Sequence, residues 1–333
     1  MKERNDNIAL LDVFKLLFAI EIVAGHARYE FHNIFIKNIV TFMGGTGLPF
    51  FFMVSGYLLF SRKINSNSIA DMTNKVITAT KGMCRRYIVW SIMGLPLAIY
   101  EFVYWKTGLF IGVIIYLRDA IFRGEHYSGA PTWYIVSSIY SLLIIYIILK
   151  MTKNEKIIFL MIPISLIVYY LILYLLRVCK EGSIFLFLIS NTIGIFNGRI
   201  IMGCWAIPAG ILIAKVSHKI KPIYSWIALP FTMIMREFIG HGRICDLIFV
   251  FNLIMCILTI NLCGNHFSLC IRRISTIMYF SHMFFISAVL FLNDGVYDDG
   301  VFYISIFLSI VVGILVHIFI QKDVNKEFWK LFI

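Results

Sequence analysis

Apolar runs long enough to cross a bilayer recur from one end of this chain to the other. A transmembrane helix needs roughly 20 predominantly apolar residues, and about ten segments meet that description. The pattern therefore predicts an all-α, polytopic membrane protein with about ten transmembrane helices. The expected helices are 8–28, 39–60, 84–105, 131–149, 156–176, 199–216, 221–239, 245–263, 274–293 and 301–320.

Composition supports a single integral domain over residues 1–333, with a core at about 8–320. Of the 333 residues, 60% are hydrophobic and 14% are charged, and no Gly/Ser/Pro-rich linker or low-complexity block divides them. The N-terminus turns apolar as a signal peptide would, but Glu21 interrupts the apolar region and no small-x-small cleavage site follows. We therefore expect the first segment to be retained.

The net charge of +12 is explained by topology more simply than by a nucleic-acid partner, which we do not expect. Basic residues favour, by about two to one, the side of the membrane that carries both termini, as the positive-inside rule requires. We expect a multi-pass protein of the bacterial cytoplasmic membrane with both termini in the cytoplasm. The seven cysteines form no C-x-x-C pair, so we expect packing residues and no metal site.

The first predicted helix carries four polar groups that a membrane segment would ordinarily avoid: Asp12, Lys15, Glu21 and His26. The spacing of Asp12, Lys15 and His26 places them on one helix face, with Lys15 and His26 about 16.5 Å apart along the axis. Charges facing lipid are costly, so this face should look into the bundle. Alternatively, Asp12 and Lys15 pair near the inner headgroups and His26 lies at the outer interface. Glu21 points elsewhere and receives no role.

The second helix reads "GGTGLPFFFMVSGYLLFSRK", residues 44–63. An aspartate and a lysine preceding a histidine on the first helix, followed by this glycine-rich entry to F-F-x-x-S-G-Y-L, resemble the acyltransferase-3 family of integral membrane acyltransferases. Three later segments are similar to family motifs: "CRRYIVW" (84–90), "PTWYIVSSIYSLLI" (131–144) and "ISTIMYFSHMFF" (274–285). The family's arginine motif is usually R-x-R, so its match to Arg85 or Arg86 stays open.

The resemblance implies transfer of an acyl group, commonly acetyl, from cytoplasmic acyl-coenzyme A to a hydroxyl of an envelope glycan or a lipid-linked acceptor. His26 is the expected general base, because its proton is exchangeable near neutral pH. Lys15 would support catalysis and, with Arg85, Arg86 and the basic loop 61–86, bind coenzyme phosphates. Acyl-coenzyme A is a substrate, and no permanently bound cofactor is expected. The residues expected along the substrate cavity are Asp12, Ser55, Tyr57, Trp133, Tyr279 and His282.

Other interpretations of the same residues remain open. Trp133 and Tyr134 are also typical of the aromatic belt at a membrane interface, and His282 would equally serve an interhelical hydrogen bond. A polar stripe inside a helix also suits a transporter, and the resemblance extends to the membrane domain of vancomycin-resistance serine racemases. A third interpretation is a structural partner of a glycan-assembly machine. Partners beyond the bilayer, including a second copy of the chain, are left open.

Overall fold

The computed structural model describes residues 8–61, 68–104, 108–125, 130–178, 183–184, 199–240, 242–260, 262 and 264–333, and the regular elements within these ranges are helices. The α-helices are α1 (Ala9–His26), α2 (Ile34–Met43), α3 (Gly47–Ser61), α4 (Ile69–Tyr104), α5 (Leu109–Arg118), α6 (Trp133–Thr152), α7 (Met161–Val178), α8 (Arg199–Val216), α9 (Pro222–Ile239), α10 (Arg243–Thr259), α11 (His266–Leu292), α12 (Asp299–Gln321) and α13 (Lys326–Trp329). A π-helical turn spans Asp119–Arg123, and 3-10 turns span Ala130–Thr132, Glu155–Leu160 and Lys330–Phe332.

Six helices in the described part of the chain are long and apolar enough to cross a membrane: α4, α6, α7 with its preceding turn, α8, α11 and α12. The pair α2 and α3 would make a seventh if it forms one bent span. The all-helical prediction is confirmed, whereas the count of about ten spans is not. The first helix falls short because Asp12, Lys15 and Glu21 lie within its 18 residues, and α10 has only 17 residues.

Two predicted boundaries are wrong. Residues 61–86 are not a loop, because α4 begins at Ile69 and runs without interruption through Arg86 to Tyr104. Ser68 starts this helix: its hydroxyl accepts a hydrogen bond from the Asp71 backbone N–H and donates to the Asp71 carboxylate, as N-terminal capping residues do. The predicted loop residues Arg62 and Lys63 lie outside the described residues.

The predicted helix 39–60 is in fact two helices, α2 and α3, bent by 56° at Gly44–Thr46. Gly45 has a φ of +81°, which favours glycine. Arg236 stabilises the break by donating from Nη2 to the Gly44 carbonyl oxygen at 2.6 Å and from Nε to Asp246 at 2.9 Å. Backbone groups freed by a break at membrane depth require such partners.

The chain forms two compact units, Met1–Phe51 with Lys221–Ile333, and Phe52–Ile220. In the first unit, α11 packs against both α1 and α12, and α9 packs against α10. Small and branched side chains allow α1 to approach its neighbours closely. The buried apolar residues of this contact are Ala19, Val23, Ala24, Ala27, Ile274, Met278, Ile286, Val301 and Phe302.

The second unit is built around α8, which packs against α6 and α7, while α4 packs against α6. Glycines bring its helix backbones together. A Cβ atom built on Gly56 would lie well under 3.0 Å from the Ile207 carbonyl oxygen, and one on Gly210 equally close to that of Met53. Ser137 and Ser141 of α6 donate hydrogen bonds to backbone carbonyls of α8. These contacts are typical of membrane helices that pack through small residues.

Candidate functional site

The charged end of α1 is bound by an arginine of α11. Arg272 donates from Nε and Nη2 to the two carboxylate oxygens of Asp12, at 2.9 Å each. Lys15 lies one turn along α1, with its Nζ 3.7 Å from the same carboxylate. Asp12 is 1% exposed. The predicted pairing of Asp12 with Lys15 is therefore present, but the stronger, bidentate partner of Asp12 comes from a different helix.

A second polar stripe lies on α11. Arg272, Ser275, Tyr279 and His282 follow a 3-4-3 spacing and so share one helix face. Ser275, Tyr279 and His282 are buried. The arginine and the histidine of this stripe contact α1, so the stripe faces Asp12, Lys15 and His26. We refer to these seven residues as the α1–α11 seam.

The histidines form the other level of the seam. The ring centroids of His26 and His282 lie 5.2 Å apart, with the planes inclined at 42°. His26 is the last residue of α1 and is half-buried, whereas His282 is fully buried in the middle of α11. The Tyr279 ring lies 6.3 Å from that of His282 and 5.4 Å from Phe51. The seam thus has two levels: a charged level formed by Asp12, Lys15 and Arg272, and a histidine level formed by His26 and His282.

The orientation of the His282 ring is set by its own helix. The Nδ1 atom lies 3.1 Å from the Met278 carbonyl oxygen, which can only accept a hydrogen bond, so Nδ1 carries the proton in this contact. Nε2 then holds the lone pair of the neutral ring. This atom is buried and has no hydrogen-bond partner among the described residues. An interhelical hydrogen bond, one of the two roles expected for His282, is not found among the described contacts. Its ring lies beside that of His26 instead.

Arg272 is a seam residue to which no individual role was assigned from the sequence. The sequence nevertheless contains one pattern that points to a role for Arg272. Arg272 precedes His282 by ten residues, much as Lys15 precedes His26 by eleven, so the two helices carry the same pattern of a basic residue followed by a histidine three turns later.

Glu21, to which no role was assigned, reaches the break between α2 and α3. Its carboxylate accepts a hydrogen bond from the Gly45 backbone N–H and interacts electrostatically with Arg236. A Cβ atom at Gly47 would lie 2.9 Å from Glu21 Oε2. Glu21 and Arg236 therefore both bind the glycine-rich entry to α3, which explains why this acid is accommodated inside the first helix.

In the second unit, residues from three predicted motifs meet. The hydroxyl groups of Ser55 on α3 and Tyr134 on α6 lie 2.8 Å apart, and Arg86 on α4 interacts electrostatically with Tyr134. Ser138 donates to the Tyr134 carbonyl oxygen at 2.8 Å. Arg85 is exposed on α4. Of the two adjacent arginines, Arg86 is the one that the structure brings to other motif residues.

The remaining predicted positions lie nearby. The Phe52 ring lies 4.4 Å from Tyr134 and 6.1 Å from Trp133. Trp133 is buried, with the Arg199 guanidinium 5.4 Å from its ring centroid, and Arg199 also pairs with Glu125. Tyr57 is half-buried. That these residues line a substrate cavity stays a prediction.

Comparison of the chain with protein-family models, with curated proteins and with solved structures finds no match in any of the three.

Proposed function

We propose that this chain is an integral membrane O-acyltransferase of the acyltransferase-3 type, most simply an O-acetyltransferase. It would take an acyl group from cytoplasmic acyl-coenzyme A and deliver it to a hydroxyl of a cell-envelope glycan or a related acceptor. The observation that carries the proposal is the histidine pair, in which the fixed ring of His282 and the half-buried ring of His26 lie 5.2 Å apart. Two imidazoles inside a helical bundle are suited to moving a proton near neutral pH.

In this mechanism His26 is the general base. It removes the proton of the acceptor hydroxyl as the oxygen attacks the thioester carbonyl carbon. The new C–O bond forms, the C–S bond breaks, and the thiolate leaves with the bonding electron pair. The histidinium then returns its proton to the thiolate, which leaves as the free thiol. His282 acts on His26 as a positioning residue, because its burial and its bond to Met278 hold its ring in place.

The charged level of the seam supports the donor side of the same reaction. Two cations, Lys15 and Arg272, meet one carboxylate, Asp12, so the group carries net positive charge. Positive charge at this distance from the histidines suits a phosphate of the coenzyme, which it would bind through charge-assisted hydrogen bonds. Asp12 and Arg272 hold Lys15 in position for this role.

A transporter is the second candidate, and the broken pair α2 and α3 is the observation that favours it. Transporters commonly place solute sites where membrane helices are interrupted. Glu21 and Arg236 supply charged groups at this break. In this reading the α1–α11 seam is a solute path, and acyl-coenzyme A is not a ligand.

One experiment separates the two candidates. Purified protein in nanodiscs is tested for binding of acetyl-coenzyme A, and cells with and without the protein are compared for alkali-labile acetyl esters on envelope glycan. The acyltransferase predicts donor binding and protein-dependent esters. Absence of both, together with protein-dependent solute uptake into proteoliposomes, would establish the transporter instead.

A further inference from the structure

Three nitrogen-bearing side chains meet where α11 begins and α12 ends. Arg273 of α11 donates from Nη1 to the ring Nδ1 and to the carbonyl oxygen of His317 on α12, at 3.3 Å each. The His317 ring lies 4.9 Å from the ring of His266, the first residue of α11, and the two planes are perpendicular. Direct contacts therefore join His266, Arg273 and His317 into one group, which we call the interface cluster.

The guanidinium of Arg273 differs from that of its neighbour Arg272 in what fills it. Arg272 binds both carboxylate oxygens of Asp12 through Nε and Nη2, which form one edge of the planar group. In Arg273 the same edge makes no hydrogen bond to any described residue, and its Nε is buried. A buried donor without a partner is costly, and a bound ion or water removes that cost. The edge fits a ligand with two oxygens, as carboxylates and phosphates have.

Negative charge is missing around the interface cluster. In the part of the chain that the structure describes, the electrostatic neighbours of Arg273 are Cys270 and a like charge, Arg272. Those of His317 are Arg273 and His266. A bound anion would thus be attracted by a permanent cation. A zwitterionic ligand would bring a further positive group towards these arginines, so the surroundings favour a ligand with net negative charge.

Helix lengths place the interface cluster at the depth of the lipid headgroups. The 27 residues of α11 and the 23 of α12 give lengths of about 40 and 35 Å, whereas the hydrocarbon core of a bilayer is about 30 Å thick. His266 begins α11, and His317 lies in the last turns of α12, which ends at Gln321. Ile314 and Ile318, on either side of His317 in the sequence, are exposed and would contact acyl chains.

We propose that the interface cluster binds the phosphate of an anionic phospholipid, in the leaflet on the side where α12 ends. The unfilled edge of Arg273 would hold two phosphate oxygens, and the exposed ring of His266 would add a donor at the surface. Basic pockets between transmembrane helices on the cytoplasmic side, where the charge distribution predicts this end to lie, are typical sites for such headgroups. Binding of the lipid requires neither acyl transfer nor solute transport.

The test uses the full-length protein in a neutral detergent, with dioctanoyl phosphatidylglycerol and dioctanoyl phosphatidylcholine as probes and native mass spectrometry as the binding measurement. The wild type should bind phosphatidylglycerol more tightly. Arg273→Gln should weaken that binding by about tenfold or more, since it removes a charge-assisted contact. Arg273→Lys should fall between, because it keeps the charge and loses the fork. Lys322→Gln is the matched control: it removes one charge at the exposed cap of α12 and should bind as the wild type does.

A second variant decides the matter if Arg273→Gln does not fold. His266 is exposed, so His266→Ala should leave the fold intact. It should weaken phosphatidylglycerol binding by about two- to tenfold, as loss of one hydrogen bond does.

Four results would overturn the assignment. The first is unchanged phosphatidylglycerol affinity in folded Arg273→Gln or, failing that variant, in His266→Ala. The second is an equal loss in Lys322→Gln, which would reduce the binding to general attraction between charges. The third is equal affinity of the wild type for both lipids. The fourth is an Arg273→Gln protein that loses acetyl-coenzyme A binding and keeps phosphatidylglycerol, which would make the cluster part of a donor site.

Discussion

Arg272 holds both carboxylate oxygens of Asp12 at 2.9 Å, joining residues 260 positions apart in the chain. The Asp12 side chain is 1% exposed and that of Arg272 is 28% exposed, so water screens this contact only in part. The carboxylate is the shared counter-ion of two cations. Its removal would leave Arg272 and Lys15 close together with no negative charge between them.

Asp12→Ala should therefore destabilise the protein strongly. Losing hydrogen bonds to a charged group costs about 1.5–3 kcal/mol, and here two partly buried cations would also be left facing each other. Thermal unfolding in detergent measures the loss. The double variant Asp12→Ala/Arg272→Ala should lose less than the sum of the two single variants, since it contains no unpaired arginine. Strictly additive losses would show that the two side chains do not stabilise each other.

The sequence was sufficient to place polar groups on one face of α1, because the period of a helix follows from its backbone geometry. It could not identify what that face contacts. Arg272 is a distant residue, and pairing between distant helices depends on packing that no local pattern encodes. The histidine pair was missed for the same reason, although both histidines had been selected individually as site residues.

The start of α4 and the break between α2 and α3 show which helix boundaries local sequence signals can and cannot predict. The Ser68 and Asp71 cap explains why α4 starts at Ile69. The basic segment after it had been assigned to a loop because it lies between two apolar runs. The apolar run 39–60 hides a break because Gly44 and Gly45 change its direction without lowering its hydrophobicity enough to be seen. Arg236, which satisfies that break, comes from a different part of the chain.

Lys15 should tolerate arginine and no uncharged residue. Lys15→Arg keeps a cation beside Asp12, whereas Lys15→Ala removes it, and we expect acetyl transfer to fall by about tenfold or more, as for loss of one charge-assisted contact. Lys15→Met is the informative control, because it retains the apolar stem without the charge. An active Lys15→Met variant would mean that packing of the stem, and not its charge, is what the protein needs.

Gly56 and Gly210 should not accept alanine. In each case the added Cβ would meet a backbone carbonyl oxygen of the facing helix, which cannot move aside as a side chain can. Overpacking of this kind costs about 1–3 kcal/mol or more. Yield of monodisperse protein after mild heating is the measurement. Gly94→Ala, where the new Cβ has nothing within 4 Å, should be neutral or slightly stabilising. Equal yields for all three would contradict the close α3–α8 approach.

Arg86 and Arg85 should differ, although they are neighbours. Arg86 interacts with Tyr134, which in turn lies 2.8 Å from the Ser55 hydroxyl, and Arg85 is exposed. Arg86→Gln should therefore lower the unfolding temperature, while Arg85→Gln should leave it close to the wild-type value. Tyr134→Phe should cost about 0.5–1.5 kcal/mol through loss of its hydroxyl contact. A larger effect at Arg85 would reverse the assignment of these arginines.

The most direct test of the account is transfer of labelled acetyl groups from acetyl-coenzyme A to envelope glycan by membranes that carry His26→Ala. A general base contributes about 10²–10⁴ in rate and little to ground-state affinity. We predict a loss of transfer in that range with donor binding retained, and normal transfer by His218→Ala, whose exposed histidine follows α8. Transfer at the wild-type rate by a folded His26→Ala protein would contradict the account.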